Sequence, residues 1–391
     1  MISIVFLWII IILLIQMLFK LIDINKNYII CFFISLLILI FFMNLETATS
    51  SAIEGCKIWF LAILPTVLPF SLICNLLISY DGISLYSKFL GPLICKPLGL
   101  SKNCSLPLTT SFLCGYPLGA KYCSDLYNLK YIKKDEYASL LNIATNCSPL
   151  FILGPVATSL LGNVNLGYLL LIANYLSPLI VGFIIKKKGP HTSPEVMGTY
   201  VNTKNFGELL KEALEKAINT TISIGGFIVI FSIIIGIIKS NVSIHFFISN
   251  LEEFINLPKD SLFGFLLGSI EITNGCNLIA TSAFNFSIKL SIISFLCSFS
   301  GLCIIAQVSS FISKDKISMI RYSLLKFIQG IISFIITFIV SYFYLGTVET
   351  GTIISSNGTT INIFMYLVPL IAILTLTVFF KILKKLFIHI S

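Results

Sequence analysis

Apolar runs long enough to cross a lipid bilayer limit the fold of this chain more than any other feature. The hydrocarbon core of a bilayer is about 30 Å thick, and a helix of roughly 20 apolar residues spans it. Such runs begin near Ile2, Tyr28, Cys56, Tyr137, Asn165, Ile218, Ile288, Tyr322 and Ile361. The sequence therefore predicts an all-α polytopic membrane protein with about nine transmembrane helices.

Composition supports this class and excludes others. Of the 391 residues, 57% are hydrophobic and 11% are charged, which leaves no room for a sizeable aqueous domain. The net charge of +9 does not indicate nucleic acid, because the basic residues punctuate apolar runs instead of lining one surface. No HExxH, GxSxG or Walker-type loop occurs, and no cysteine or histidine cluster, so we predict neither an enzyme nor a cofactor.

Two further apolar stretches, Cys104 to Lys121 and Ser261 to Ser282, are interrupted by glycine, proline or small polar residues. We predict that both are re-entrant, and we name them the first and the second hairpin. With the N-terminus outside and the C-terminus cytoplasmic, 22 of the 26 basic residues lie on the inner side, and Lys326 is counted among its loop residues. Such an excess is typical of cytoplasmic loops.

The chain repeats itself faintly, since short segments around Ala52 and Phe70 recur 161 residues later, around Ala213 and Phe231. The order of the predicted elements recurs too, and each unit has three crossings, so the second unit is inverted relative to the first. We predict two N-terminal transmembrane helices (1–50), a first repeat (51–188), a cytoplasmic linker (189–211), a second, inverted repeat (212–346) and a C-terminal transmembrane helix (347–391).

Inverted repeats with interrupted helices are a recurring design of secondary transporters, and the interruptions mark the substrate site. In the first hairpin, Gly115, Pro117 and Gly119 free backbone N–H groups, for which a bound solute is one partner. Lys121 either attracts an anionic solute or lies at the mouth of the hairpin. Close packing of helices by small residues is the alternative interpretation of the glycines.

The second hairpin contains Glu271, Thr273, Asn274, Gly275 and Asn277. We predict that Glu271 is the one carboxylate set deep in an apolar segment. A charged group there costs about 2.5 to 3.5 kcal/mol, which marks a functional candidate. Three roles stay open for it: it contacts the substrate, takes up a proton, or ties the hairpin tip to a neighbour.

The spans that follow the hairpins carry polar residues at related places. Asn146 and Ser148 follow the first hairpin, and Gln307 follows the second. We predict that these side chains line a cavity opposite the hairpin tips. Asn146 and Gln307 alternatively link helices by hydrogen bonds. Coupling to protons or sodium ions and the oligomeric state are left open by the sequence.

Four segments, SAIEGCKIWFLAILPTVLPF, CGYPLGAK, ATNCSPLFILGPVA and EITNGCN, together resemble the YlbJ-type sporulation integral membrane proteins. These belong to the nucleoside-recognition, or Gate-domain, group, which is similar to concentrative nucleoside transporters. The resemblance covers roughly residues 51–346. Its patterns fall on Gly115, Tyr116, Pro117, Gly119, Lys121, Glu271, Thr273, Asn274 and Gly275, while Asn277 stands where a lysine is expected.

The resemblance implies a transporter of the outer forespore membrane that moves dipicolinic acid by alternating access at a midplane site. Glu271 suits this dianion poorly and suits a neutral nucleoside better, so nucleoside transport is the second prediction. A non-transporting sporulation scaffold is the third. The partners predicted are a small solute and the lipid bilayer.

Overall fold

A computed structural model describes residues 26–185, 205–315 and 317–345, which form helices and turns without any strand. The helices of the first half are α1 (Lys26–Met43), α2 (Leu45–Ile58), α3 (Leu64–Ser79), α4 (Gly82–Phe89), α5 (Ser105–Cys114), α6 (Leu118–Asn128), α7 (Lys134–Ile143), α8 (Pro149–Leu160) and α9 (Val164–Ile185). Those of the second half are α10 (Phe206–Ser240), α11 (Val242–Phe254), α12 (Ser261–Ile270), α13 (Ile272–Thr281), α14 (Phe286–Phe299), α15 (Gly301–Phe311) and α16 (Met319–Leu345).

Four helical segments of the described chain are long and apolar enough to cross a membrane. They are Val164–Ile185, Phe206–Ser240, Phe286–Phe311 and Met319–Tyr342, and they confirm the all-α membrane class. A fifth exists only if α1 and α2 count as one span, although the chain bends by 95° between them. The total of nine crossings is not confirmed. The runs near Ile2 and Ile361, and with them both termini, lie outside the described residues.

Both stretches predicted as hairpins consist of two short helices that pack against each other. The first hairpin is α5 and α6, and its break contains Gly115, whose φ of +81° favours glycine. The second hairpin is α12 and α13, and its break is a single extended residue, Glu271. Glycines let the arms of the second hairpin approach closely, because Gly268 directly faces Gly275.

The run that begins near Tyr137 is not a continuous helix. α7 ends at Ile143, five residues follow without helical structure or hydrogen-bonded turns, and α8 starts at Pro149. Proline lacks a backbone N–H and fits the first position of a helix, so Pro149 readily begins a new helix after the break. α14 and α15 are interrupted at Ser300, which has a φ of +78°.

The described residues contain the same order of elements twice. α2 and α3, joined by a π-helical turn over Trp59–Ile63, precede α4, the first hairpin, the interrupted pair α7–α8, and α9. α10 precedes α11, the second hairpin, the interrupted pair α14–α15, and α16. α10 runs from Phe206 to Ser240, so it begins within the stretch predicted as the linker. It matches Leu45 to Ser79 at the offset of 161 residues found in the sequence.

The two matching helices pack antiparallel. Near one end the Nε1 of Trp59 donates to the carbonyl of Thr221 at 3.0 Å. Further along, the Nδ2 of Asn75 donates to the carbonyl of Ala213 at 3.1 Å. The residue numbers of the partners on α10 decrease as the residue numbers along α2 and α3 increase. An inverted repeat requires this antiparallel arrangement. The inverted orientation of the two units relative to a membrane stays a prediction.

Candidate functional site

The tips of the two hairpins and the two interrupted helices meet around one cavity, which we name the central cavity. Its volume is about 170 Å³, and a single water needs about 10 to 15 Å³ on this measure, so a small organic molecule fits. The polar residues that line it are Thr66, Tyr116, Ser148, Ser232, Glu271, Thr273, Asn274, Ser300 and Gln307. Apolar walls come from α2, α3 and α10, with Ile58, Val67 and Ile228 among them.

Most residues that the interrupted elements contribute to the cavity lie where a helix begins. Pro117 precedes α6, Ser148 precedes α8, Glu271 precedes α13, and Ser300 precedes α15. The N-terminal end of a helix carries a partial positive charge and unpaired N–H groups. Ser148 Oγ accepts from the N–H of Phe151 at 3.2 Å, whereas α6 and α15 have no side-chain cap. The cavity is therefore surrounded by helix ends that favour electron-rich groups.

Glu271 is the N-cap of α13. Its carboxylate accepts from the backbone N–H groups of Thr273 at 2.9 Å and Asn274 at 3.1 Å, and from the Asn274 amide at 2.9 Å. A carboxylate at this position is stabilised by the N–H groups and by the helix dipole. The glutamate thus ties the tip of the second hairpin together. Its contact with a substrate and its uptake of a proton stay predictions.

The prediction that Glu271 is the one deeply buried carboxylate is wrong. Glu271 is half-buried, while Glu136, Glu252 and Asp315 are only 2%, 3% and 5% exposed. Glu252 accepts from the N–H groups of Asp260, Leu262 and Phe263, near the start of α12. Asp315 accepts from the hydroxyls of Ser124 and Tyr137. A carboxylate can be buried where N–H and O–H groups replace the water around it. The position of the residue along the chain does not reveal these partners.

Two buried polar atoms of cavity residues have no hydrogen-bond partner among the described residues. They are the Oε1 of Gln307 and the hydroxyl of Tyr116. The Nε2 of Gln307 donates to Cys303 Sγ on its own helix at 3.4 Å. Buried polar atoms usually have partners, so these two are exceptions among the residues that line the cavity.

Seven of the predicted site residues line the central cavity, namely Tyr116, Pro117, Ser148, Glu271, Thr273, Asn274 and Gln307. Three of the others are glycines, and at these a side chain would collide with neighbouring atoms. A Cβ on Gly115 would lie 2.7 Å from Ser148 N, one on Gly119 1.9 Å from the carbonyl oxygen of Ala144, and one on Gly275 2.1 Å from Gly268 Cα. Asn277 is exposed and does not line the cavity.

Lys121 does not line the central cavity either. It is buried, and its ammonium lies 2.7 Å from the Asp125 carboxylate and 3.0 Å from Asn75 Oδ1. It also lies 4.3 Å from the centre of the Tyr122 ring. Its charge is therefore compensated inside the first half of the molecule. Neither the predicted contact with an anionic solute nor a position at the mouth of the hairpin describes this arrangement.

Lys239 lies next to the cavity and was not predicted as a site residue. From the exposed end of α10 it donates to Asn274 Oδ1 at 2.5 Å, and Asn274 in turn donates to Glu271. The chain of contacts therefore connects a cation to the tip of the second hairpin. Its sequence position, at the last turn of a helix 35 residues before Asn274, gives no signal of this contact.

Lys326 was predicted to lie in a cytoplasmic loop, and this prediction is wrong. α16 begins at Met319, and Lys326, two turns into that helix, is 0% exposed. Its ammonium donates to the carbonyl of Thr145 in the break between α7 and α8, and to Gln329 Oε1 at 2.8 Å. A signal exists in the sequence, because polar residues at helical spacing form one buried stripe of α16: Tyr322, Lys326, Gln329, Ser333, Thr337 and Ser341.

Asn146 joins this arrangement from the break itself. Its Oδ1 accepts from Gln329 Nε2 at 3.2 Å, and its Nδ2 donates to Ser111 Oγ on α5 at 3.2 Å. Its backbone carbonyl accepts from the N–H of Tyr116 at 2.7 Å. The break between α7 and α8 is therefore held both to α16 and to the tip of the first hairpin.

The fold and the site define a class of protein: a helical membrane protein in which two hairpins and two interrupted helices surround a cavity. Residues 60–163 match the model of the Gate family, described as nucleoside recognition. This segment contains α3 to α8, and with them the first hairpin and the first interrupted pair.

The particular resemblance is to the sporulation integral membrane protein YlbJ of Bacillus subtilis (strain 168). The two chains are 25% identical over 299 residues, which cover 71% of this chain and 73% of the relative. No solved structure matches the chain. The predicted resemblance is confirmed: the chain is an integral membrane protein similar to a YlbJ-type sporulation protein, with a Gate-family segment at residues 60–163.

Proposed function

We propose that the chain carries a small polar solute across the membrane, with the solute bound in the central cavity. The observation that carries this proposal is that both hairpin tips and both interrupted helices meet at one cavity. Interrupted helices at matching positions of two repeats are the typical sites of secondary transporters. Two residues of its lining, Tyr116 and Gln307, also carry buried polar atoms without partners among the described residues.

The mechanism is alternating access, in which the second hairpin moves and the first stays in place. Gly275 packs against Gly268 and Gly264 of its own hairpin, so α12 and α13 can move together as one body. The first hairpin is held to the break between α7 and α8 by Gly119 and by the N–H of Tyr116. A solute bound between the tips would bridge the mobile and the fixed parts.

Dipicolinate, carried across the outer forespore membrane, is the first candidate solute. The resemblance to the YlbJ-type proteins leads to this candidate, and the relative is named for sporulation. Helix ends at α6 and α15 without side-chain caps are suited to its carboxylates. The amide of Asn274 and the hydroxyl of Thr273 add donors at the opposite tip.

A nucleoside is the second candidate, and the lining of the cavity favours it. The described lining residues include one carboxylate, Glu271, and no lysine or arginine. A carboxylate accepts hydrogen bonds from ribose hydroxyls and repels a dianion. The description of the matched family, nucleoside recognition, agrees with this candidate.

Flux into liposomes tests the proposal. The purified chain is reconstituted and offered labelled dipicolinate and labelled uridine, each with and without a proton gradient. Thr273→Val removes a hydroxyl from the cavity, and Thr281→Val, at the far end of the same helix, is the matched control. We expect saturable flux of one solute that Thr273→Val lowers and Thr281→Val leaves unchanged. Flux of neither solute would contradict both candidates and favour the scaffold.

A further inference from the structure

Lys326 is a buried basic residue that the proposed transport cycle does not use. Its side chain is fully buried, and no carboxylate in the described part of the chain forms an ion pair with it. Its hydrogen-bond acceptors are two neutral oxygens, the carbonyl of Thr145 and Oε1 of Gln329. Burying an ammonium without a counter-ion costs several kcal/mol, and these two oxygens are the contacts that favour the charged form.

The position of Thr145 explains this preference. α7 ends at Ile143, two residues before Thr145, and the negative end of its helix dipole lies at this terminus. Unwound carbonyls and C-terminal helix ends of this kind hold monovalent cations in transporters with interrupted helices. The break between α7 and α8 thus offers the surroundings of a cation site, and the chain's own ammonium fills it.

This ammonium is connected to the central cavity. Lys326 donates to Gln329, Gln329 donates to Asn146 at 3.2 Å, and the carbonyl of Asn146 accepts from Tyr116 at 2.7 Å. Tyr116 and the next residues of the break, Cys147 and Ser148, line the cavity. The position of the ammonium therefore affects the conformation of Tyr116, Cys147 and Ser148, which form part of the cavity lining.

We infer that Lys326 is a tethered cation: its ammonium occupies the site at the break between α7 and α8 that a free monovalent cation would otherwise fill. The ammonium also holds the break in the conformation that lines the cavity. The importance of this conformation for transport rests on the proposed function, whereas the occupancy of the cation site does not. Wild-type flux accordingly needs neither sodium nor potassium. Removal of the side chain creates an empty site for a free cation.

Thermal unfolding of the purified full chain tests the occupancy without any solute. Lys326→Ala is heated at constant ionic strength in choline, sodium, potassium or n-propylammonium chloride. n-Propylammonium restores the atoms that were removed, and choline is too large for the space. We expect the variant to melt at a lower temperature than the wild type. n-Propylammonium should raise the Tm of the variant saturably, and at 100 times its Kd it should increase the folding equilibrium constant about 100-fold. The wild type and Lys314→Ala, which changes an exposed lysine, should not respond.

A second variant covers the case in which Lys326→Ala does not fold. Lys326→Met keeps most of the volume and removes the charge, so it leaves no room for a free cation. We expect its solute flux to fall about tenfold or more and to resist rescue by any cation. Wild-type flux in Lys326→Met would overturn the inference, and so would a Lys326→Ala protein whose Tm responds to no cation. A wild-type chain without flux would refute the proposed function alone, because the Tm measurement would still decide the occupancy of the site.

Discussion

The two hairpins occupy matching places in the chain but differ in how they are held. The first hairpin is buried and packs against the break between α7 and α8, where Gly119 meets the carbonyl of Ala144. In the second hairpin the closest approach is between its own arms, where Gly275 meets Gly268, although these helices also contact α14 and α15. Close packing between elements fixes their relative position, whereas close packing within one element leaves that element free to move as a unit. On the proposed mechanism, the first hairpin is the fixed side of the cavity and the second hairpin is the mobile side.

A lysine beside each hairpin shows the same difference. Lys121 bonds to Asn75 and to Asp125 and is buried. Lys239 bonds to Asn274 at the tip of the second hairpin and is exposed. Water competes for an exposed contact and weakens it. A contact that opens at low cost is what a moving hairpin needs, so the contrast agrees with motion on the second side.

The largest effect is expected from Gly119→Ala in the first hairpin. The new methyl group would lie 1.9 Å from the Ala144 oxygen, and a backbone atom on that side cannot rotate away. We expect a loss of about 3 kcal/mol or more of folding free energy, measured by thermal or denaturant unfolding. Gly154→Ala is the control, since no atom lies within 4 Å of its Cβ. Equal stability of the two variants would contradict the close packing of the first hairpin against the break between α7 and α8.

Gly275→Ala should have a smaller effect on stability and a large effect on flux. Its methyl group would lie 2.1 Å from Gly268 Cα and would push the two arms of the second hairpin apart. We expect a loss of about 1 to 3 kcal/mol and flux about tenfold lower. Gly226→Ala, which has open space around its Cβ, should be neutral. Flux at the wild-type level would show that the second hairpin does not form the site.

Glu271→Ala removes the cap of α13, and we expect a loss of about 1 kcal/mol. Glu271→Gln keeps one acceptor oxygen and should lose less. If the glutamate serves as a cap, flux through Glu271→Gln keeps the pH dependence of the wild type. Flux measured across a pH series decides this point, and a lost pH dependence would assign a proton-uptake role instead.

Lys239→Met should have the smallest effect on stability, because its ammonium is exposed. We expect Tm to change by about 1 °C or less. The apparent affinity for the solute should change more than the stability, since Asn274 loses a partner at the tip. Lys259→Met, an exposed lysine without a cavity contact, is the control for both measurements.

The sequence predicted well those features that a residue type determines locally. Gly115 and Pro117 break the first hairpin, and long apolar runs form the four helical segments that could span a membrane. It predicted poorly what depends on partners far along the chain. Lys326 looked like a loop lysine because its acceptor, Thr145, lies 181 residues away.

The carboxylates show the same limit. Glu252 is buried because three N–H groups near the start of the second hairpin surround it, and its position on α11 does not reveal that environment. Lys121 was predicted beside the solute because it follows the broken segment of the first hairpin. Its partners, Asn75 and Asp125, do not line the cavity. Spacing along the chain places a residue on a helix, but the packing of the helices selects its neighbours.

Protection of both sides of the cavity by one solute tests the central claim most directly. Ser148→Cys, combined with Cys147→Ala, and Thr273→Cys are placed singly on the fixed and the mobile side, and modification by a maleimide is followed peptide by peptide. The native, exposed Cys31 is the internal control. A solute at ten times its Kd should slow modification at both cavity positions about tenfold, with the same half-maximal concentration, and leave Cys31 unchanged. Protection at one position alone, or at neither, would contradict a single site shared by the two hairpins.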